Sequence, residues 1–428
     1  MNLKTRIRST MMRLFTSEGY QRSLRRRRRL MRKLSGGAAI VHYFHQVDDP
    51  YSHLALQKLE QLKAAYNLPF KMHLVSKPAA EFQGNSERFD NWALRDALSI
   101  AADYGTSLQV SQQPEPGQIQ TANNLLTPCL EQDDFVRTAI ETGEALWSGQ
   151  LPADGSLSSA SEQALNAGNA LRTKLGHYLG GMFCFEGEWF WGIDRIRSLE
   201  QRLIEEGYGV EPLCVPEPTP VDTTGFNADQ IVLEYFPSLR SPYTAVGHQG
   251  VLGLIARSGV TVKLRPVMPM LMRGVPAPFS KQRYIISDAT REARARNVPF
   301  GRIVDPFGEP VKRAFALFPA AMALDKGMDF VTAYLSAAWA EGVDITQESG
   351  LQYVAGQAGI DWQSLQDAKA GTDWETVLDD NLNAMLGAGL WGVPSFRVSG
   401  GNDDASFACW GQDRLWRVEN EIAKRADR

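Results

Sequence analysis

Hydrophobic and polar positions along the chain follow the same succession twice. After the glycine-bearing stretch Ser35-Gly36-Gly37, the apolar run Ala39 to Phe44 predicts a strand. Tyr51 to Tyr66, carrying Leu54, Leu56, Leu59 and Leu62, predicts a helix. A second opening of this kind starts with Ile231 to Phe236, continues in a helix from about Pro242 and reaches a strand at Val260 to Leu264. Strand, helix and strand in this order imply a parallel pair with a right-handed crossover.

The correspondence is positional. Tyr43-Phe44 and Pro50-Tyr51 recur as Tyr235-Phe236 and Pro242-Tyr243, an offset of 192 residues. In the same register Trp92 answers Tyr284, Asp96 answers Asp288, Ala101 answers Ala293 and Gly105 answers Asn297. Helical middles follow, Asp134 to Trp147 echoed by Asp329 to Glu341. The closing segments Phe190-Trp191-Gly192-Ile193-Asp194-Arg195 and Cys409-Trp410-Gly411-Gln412-Asp413-Arg414 match at an offset of 219, which places the extra residues inside the second copy. A repeat this long predicts two related α/β domains, each with an inserted helical subdomain. Between them Gly209 to Gln230 carries Pro212, Pro216, Pro218 and Pro220 and has the composition of a semi-rigid extended connector. The expected organisation is a basic arm over 1–37, a first domain over 38–208, a Pro-rich linker over 209–230 and a second domain over 231–428.

Composition agrees with two cores: 428 residues, 43% hydrophobic and 22% charged. The four cysteines, Cys129, Cys184, Cys214 and Cys409, lie far apart with no Cys-x-x-Cys pair, so their spacing supports neither a dithiol centre nor a zinc site. There is no apolar run of membrane-spanning length and no secretory signal, so a reducing, cytoplasmic location is expected. The net charge is −4, yet Arg25 to Arg29 form an unbroken basic run within Met1 to Lys33, where Glu18 is the one acidic residue. Two readings stand: an arm lying on anionic lipid or RNA, helped by Met11, Met12, Leu14 and Phe15, or a solvated and partly disordered extension. The first would place the protein peripherally at the inner membrane surface. No aromatic-basic pattern in the folded part supports specific nucleic-acid recognition.

Candidate chemistry concentrates in the second copy. Ser241 before Pro242 suits a helix cap with proline at the first helical position, so first-turn amides and the helix dipole converge near the Ser241 hydroxyl. Such a place favours an anion, and a thiol bound there would have its pKa lowered; capping alone also explains Ser241. Val393-Pro394 is a candidate cis peptide bond, either a structural turn or a backbone edge for a bound peptide. Gln412 and Asp413 precede the apolar-periodic run Leu415, Val418 and Ile422, where Asp413 also suits a cap. Lys281, Tyr284, Asp288 and Arg291 fall on one helical face with ion pairs expected from Lys281 to Asp288 and from Asp288 to Arg291. Met268, Met270 and Met272 are either pocket lining or core filler.

Taken in order, Ser241-Pro242-Tyr243, the Lys281 to Arg291 pattern, Gly392-Val393-Pro394-Ser395-Phe396 and Trp410-Gly411-Gln412-Asp413-Arg414 resemble the DsbA-like thioredoxin-fold superfamily. Within it they are most similar to 2-hydroxychromene-2-carboxylate isomerases and kappa-class glutathione transferases, which carry serine where disulfide oxidants carry cysteine. The resemblance implies an α/β fold of two tandem thioredoxin-like domains and implies glutathione as cofactor, with no metal and no nucleotide. It assigns Ser241 to the activation of the thiolate, Val393 and Pro394 to its alignment, and Gln412 and Asp413 to the γ-glutamyl end. Family members carry an asparagine in the loop that here reads Met272-Arg273-Gly274-Val275-Pro276, so Arg273 is expected to reach a ligand carboxylate instead.

The first copy departs from this pattern. Asp49 stands at the position of Ser241, where its own charge would repel a thiolate, and Gly181 stands where Pro394 belongs. An inactive partner half is expected, with Asp49 as a general base the alternative. The resemblance therefore implies a glutathione-dependent isomerase or transferase acting on a small aromatic or conjugated carbonyl electrophile. The alternatives are a thiol-disulfide oxidoreductase-like protein without a Cys-x-x-Cys pair and a non-catalytic, membrane-associated binding protein.

Overall fold

A computed structural model describes residues 3–426. The outermost residues of the expected arm and second domain, 1–2 and 427–428, lie outside the described residues. The chain forms two compact units: Leu24–Pro218 with Ala277–Tyr284, and Met1–Ser23 with Thr219–Pro276 and Ile285–Arg428. Each unit thus contains a short piece drawn from elsewhere in the sequence.

The N-terminal unit is built on a sheet of β1 (Val41–His45), β2 (Phe70–Leu74), β3 (Met182–Phe185) and β4 (Glu188–Trp191), in the order β2-β1-β3-β4. β1 is parallel to β2 and antiparallel to β3, with Val41 opposite Phe70 and Phe185. The C-terminal unit has β5 (Ile231–Phe236), β6 (Thr261–Leu264), β7 (Ser395–Gly400) and β8 (Asp403–Trp410), in the order β6-β5-β7-β8. There β5 is parallel to β6 and antiparallel to β7. Strand order and direction are therefore the same in the two sheets, and the chain is α/β.

The central strands are apolar on both faces because helices cover both. Phe44, Val75, Met182, Cys184, Trp189 and Tyr284 pack together in the first unit, and Val246, Ala289 and Ala293 in the second. Polar residues are also buried on these strands, His45 on β1, Ser395 on β7 and Glu234 on β5; Glu234 is ion-paired to Arg265 at 2.6 Å and to Arg397 at 2.5 Å.

The 192-residue register reappears in fine detail. Gly105 and Asn297 both end helical segments with left-handed backbone, φ +60° and +54°, a conformation that glycine and asparagine tolerate best. Tyr51 donates its hydroxyl to Asp96 at 2.7 Å, and Tyr243 donates to Asp288 at 2.9 Å.

Three expectations need correction. The helix expected over Tyr51 to Tyr66 is two helices, Pro50–Leu56 and Leu59–Ala65. The break is pinned from outside: the Gln57 side chain donates to Ser107 O at 2.7 Å and accepts from Ser107 N at 2.8 Å, while Lys58 donates to Gly105 O at 3.1 Å. The Pro-rich connector is tied down along its length, Cys214 N and Val215 N binding Glu200 in the first unit and the Thr223 hydroxyl binding Glu419 in the second.

The basic arm is likewise two helices, Leu3–Thr16 and Glu18–Leu34, rather than a solvated extension. Arg25, Arg28, Arg29 and Arg32 recur at helical spacing. Of these, Arg25 pairs with Glu188 and Glu205 at 2.8 Å each, Arg32 with Glu186 at 2.7 Å, and Arg29 with Glu206. The acidic partners lie on or beside β4 and at the end of the helix Ile196–Glu205, so neutralisation within the unit replaces self-repulsion. Lastly, Lys281 does not pair with Asp288. It donates to Phe82 O at 2.6 Å, and only the Asp288–Arg291 pair forms, at 2.5 Å.

Candidate functional site

In the C-terminal unit Ser241 caps the helix Pro242–Ser258 from an extended conformation, and its oxygen accepts the Thr244 N–H at 3.1 Å. Pro242 occupies the first turn, where its missing N–H costs nothing. No acidic residue lies in that turn, so nothing on the helix itself screens the positive end of its dipole. Ser241 is 7% exposed, and its hydroxyl donates to Val393 O at 3.4 Å.

Val393-Pro394 is cis, as expected for the loop that meets this helix start. The loop is held on three sides. Gly411 N donates to Pro394 O at 2.9 Å, the Ser395 hydroxyl donates to Gly392 O at 2.7 Å, and a Cβ on Gly392 would stand 2.1 Å from the Trp410 ring. Glycine at 392 is thus a steric requirement.

Arg273, in the turn Met270–Arg273, reaches the same loop. It donates to Trp391 O at 3.4 Å and lies over the Trp391 ring at 5.6 Å. Burial pushes its guanidinium down to about 10, and its buried Nε–H has no hydrogen-bond partner. A buried guanidinium with an idle donor is suited to an anionic oxygen. Met268, Met270 and Met272 are half-buried around this turn and are not part of the packed core.

Gln412, expected at the γ-glutamyl end, is buried. It is 2% exposed, its amide approaches Glu292 at 3.3 Å, and a Cβ on Gly247 would lie 2.6 Å from its own Cβ. Its side chain is packed under the opening helix. Asp413 stays half-buried, with Arg414 at 3.8 Å. His248, two turns along the opening helix, was not singled out by sequence. Burial lowers it to about 4, and it lies between Tyr235 at 3.2 Å and Thr332 at 2.8 Å, which makes it a neutral core histidine.

The corresponding place in the N-terminal unit is chemically different. Asp49 caps the helix Pro50–Leu56, accepting from Tyr51 N at 3.2 Å, Ser52 N at 3.1 Å and the Ser52 hydroxyl at 2.8 Å. Gly192 N donates to Gly181 O at 2.8 Å, the same bond that Gly411 makes to Pro394, so Gly181 does stand in the place of the cis-proline. A cavity of about 270 Å³ opens beside Asp49. Burial raises the Asp49 carboxyl to about 6, opposed by the Ser52 hydroxyl and Tyr51 N–H bonds and assisted by the charge of Asp48.

The cysteines lie away from both helix starts. Cys184 on β3 and Cys409 on β8 are buried, and burial pushes the Cys184 thiol up to about 12. A thiol held neutral in this way is a poor nucleophile.

Residues 232–423 match the family model of the DSBA-like thioredoxin domain, and the C-terminal half of the chain carries that domain. No curated protein matches the chain. Among solved structures the chain is similar to a 2-hydroxychromene-2-carboxylate isomerase, at 19% identity over 45% of this chain and 95% of that one with a TM-score of 0.37. It is also similar to the cytosolic disulfide reductase DsbM from Pseudomonas aeruginosa, at 21% identity over 45% of this chain and 98% of that one with a TM-score of 0.36. These likenesses assign no activity by themselves.

Proposed function

We propose that the C-terminal domain binds glutathione with its sulfur at the Ser241 end of the helix Pro242–Ser258 and serves as an isomerase or transferase of small conjugated or aromatic carbonyl electrophiles. The N-terminal unit is read as a second domain of the same descent. The observation that carries the proposal is the contact of Ser241 with Val393. The hydroxyl proton sits on a carbonyl 3.4 Å away, a long bond that a sulfur anion would readily replace with a shorter, charge-assisted one.

Each residue then has a task. Ser241 directs its proton to the sulfur while its oxygen keeps the Thr244 N–H. The cis bond fixes the edge of Val393, which offers strand-like pairing to the peptide backbone of the ligand. Arg273 supplies its idle N–H to a carboxylate. When bound, glutathione supplies a thiolate that adds reversibly to a conjugated double bond, so that addition and elimination isomerise and addition alone transfers. Thiol-disulfide exchange is disfavoured by the burial of Cys184 and Cys409. Isothermal titration of glutathione into wild-type protein and Ser241→Ala tests the reading. Saturable heat in the wild type that disappears in the variant supports it, and no heat in the wild type rejects it.

A second, compatible reading concerns the helix Glu18–Leu34. Arg26 and Arg27 remain exposed, and so do Leu30, Met31 and Leu34, at 56%, 60% and 74%. A basic and apolar outer face of this kind suits an anionic membrane surface. Flotation with phosphatidylserine vesicles, lost in Arg26→Glu/Arg27→Glu and absent with neutral vesicles, is the expected result. Equal recovery with both lipids would reject it.

A further inference from the structure

The cavity of the N-terminal unit is lined entirely by that unit and is shaped by chemistry unlike that of a thiolate site. Its volume of about 270 Å³ lies close to the lower end of small-molecule pockets, which run from about 300 Å³ upward. The charged groups on its wall are Asp48, Asp49, Asp90 and Lys77. Lys77 is paired with Asp90 and its charge also acts on Asp48, so a single lysine on the cavity wall faces three carboxyls. Phe89, Leu94, Ile119 and Trp191 supply the apolar wall.

A separate observation points to a ligand. Trp147 lines the cavity and is 1% exposed, and its indole N–H has no hydrogen-bond partner. An orphaned buried donor is costly unless something in the site accepts it. Gly181 packs closely behind Asp49: its backbone is left-handed, φ +61°, and a Cβ there would stand 3.0 Å from Asp49 Oδ2. Burial raises both Asp49 and Asp48 above the ordinary carboxylate range, the latter opposed by a hydrogen bond from Gln46. Carboxylates in such a place gain from an incoming positive charge.

We infer that the N-terminal unit is a second binding site, for a small organic cation that presents an ammonium group to Asp48 and Asp49, a hydrogen-bond acceptor to Trp147 and an apolar or aromatic body to the wall. This inference is independent of glutathione binding by the C-terminal domain. It replaces the expectation of a partner half without a site of its own.

The probes are phenylalaninamide, which has an ammonium, a carbonyl acceptor and a phenyl ring, and phenylpropanamide, which lacks only the ammonium. Each is titrated calorimetrically into the full chain, wild type and Asp49→Asn. Asparagine keeps the helix cap, and an unchanged melting transition confirms the fold; Asp48→Asn is the second variant should that transition shift. The expected result is saturable binding of phenylalaninamide, weaker by at least about tenfold in the variant and for phenylpropanamide, a difference of about 1.4 kcal/mol. No saturable binding of phenylalaninamide, equal binding of both probes, or binding indifferent to the aspartate substitutions would overturn the inference. Glutathione titrated into the same samples distinguishes failure here from failure of the C-terminal reading.

Discussion

Ser241 donates its hydroxyl to the Val393 carbonyl across 3.4 Å, and this one contact joins the start of the helix Pro242–Ser258 to the cis-proline loop. The same oxygen accepts from Thr244 N, so cap and loop contact share one atom. Ser241→Ala is expected to cost about 1 kcal/mol of stability through the lost cap and to abolish glutathione binding. Ser241→Asp separates the two effects. Aspartate caps as well as serine, yet it recreates the charge that Asp49 carries in the first unit. Its expected outcome is a folded protein, with an unchanged far-ultraviolet spectrum, and no glutathione heat.

Arg273 is expected to matter for affinity and little for folding, because its Nε–H has no hydrogen-bond partner. Hydrogen bonds to charged groups contribute about 1.5–3 kcal/mol, so Arg273→Ala should weaken glutathione at least about tenfold in calorimetry. An unchanged dissociation constant would remove Arg273 from the site.

Asp49 and Glu188 should give pH profiles of opposite sign. The folded pKa of Asp49, about 6, lies above the unfolded value of about 3.9. Its contribution to stability is therefore fully present below the unfolded pKa and is lost as pH rises through the folded one. For Glu188, burial alone would raise the carboxyl, but Arg25 and Arg202 more than offset this and hold it below its ordinary range. That contribution is present above the unfolded value of about 4.3 and is lost as pH falls through the folded pKa. Urea unfolding across this range should show Asp49→Asn gaining on the wild type as pH rises from 4 to 6. Glu188→Gln should fall furthest behind at neutral pH and draw level in acid.

Glu234 tests the core of the C-terminal sheet. Removing one member of a buried ionic cluster leaves the others uncompensated, at a cost of about 3–5 kcal/mol. Glu234→Ala is expected to lower the urea midpoint, because Arg265 and Arg397 would both lose their carboxylate, Arg265 keeping only its bond to Asn381. A shift within the range of ordinary surface substitutions would contradict the packing described for β5.

What the sequence revealed was the part governed by local rules. Strand-then-helix openings follow from periodicity, and the left-handed positions at Gly105 and Asn297 follow from residue type. The matching of Gly181 with Pro394 came from counting along the chain and is reproduced by the equivalent bonds from Gly192 and Gly411. Long-range partners were not legible. The 105–107 loop that breaks the first helix, the glutamates that receive Arg25, Arg29 and Arg32, and the Phe82 carbonyl that receives Lys281 are all distant in sequence from the residues they hold. Gln412 stood in a motif with Asp413, but helix packing against Gly247 separated their environments. The cavity beside Asp49 is assembled from segments as far apart as Gln46 and Trp191, and no spacing rule joins them.

The most direct test of the account is the ionisation of the glutathione thiol in the complex, followed by ultraviolet thiolate absorbance as pH is varied. A free cysteine thiol ionises near pH 8.5. In the wild-type complex the bound thiol should ionise at least about one unit lower, and in the presence of Ser241→Ala, which does not bind glutathione, only the free-thiol value should be seen. Glutathione that binds with its thiol unshifted, or that keeps the same shift without the Ser241 hydroxyl, would contradict the account.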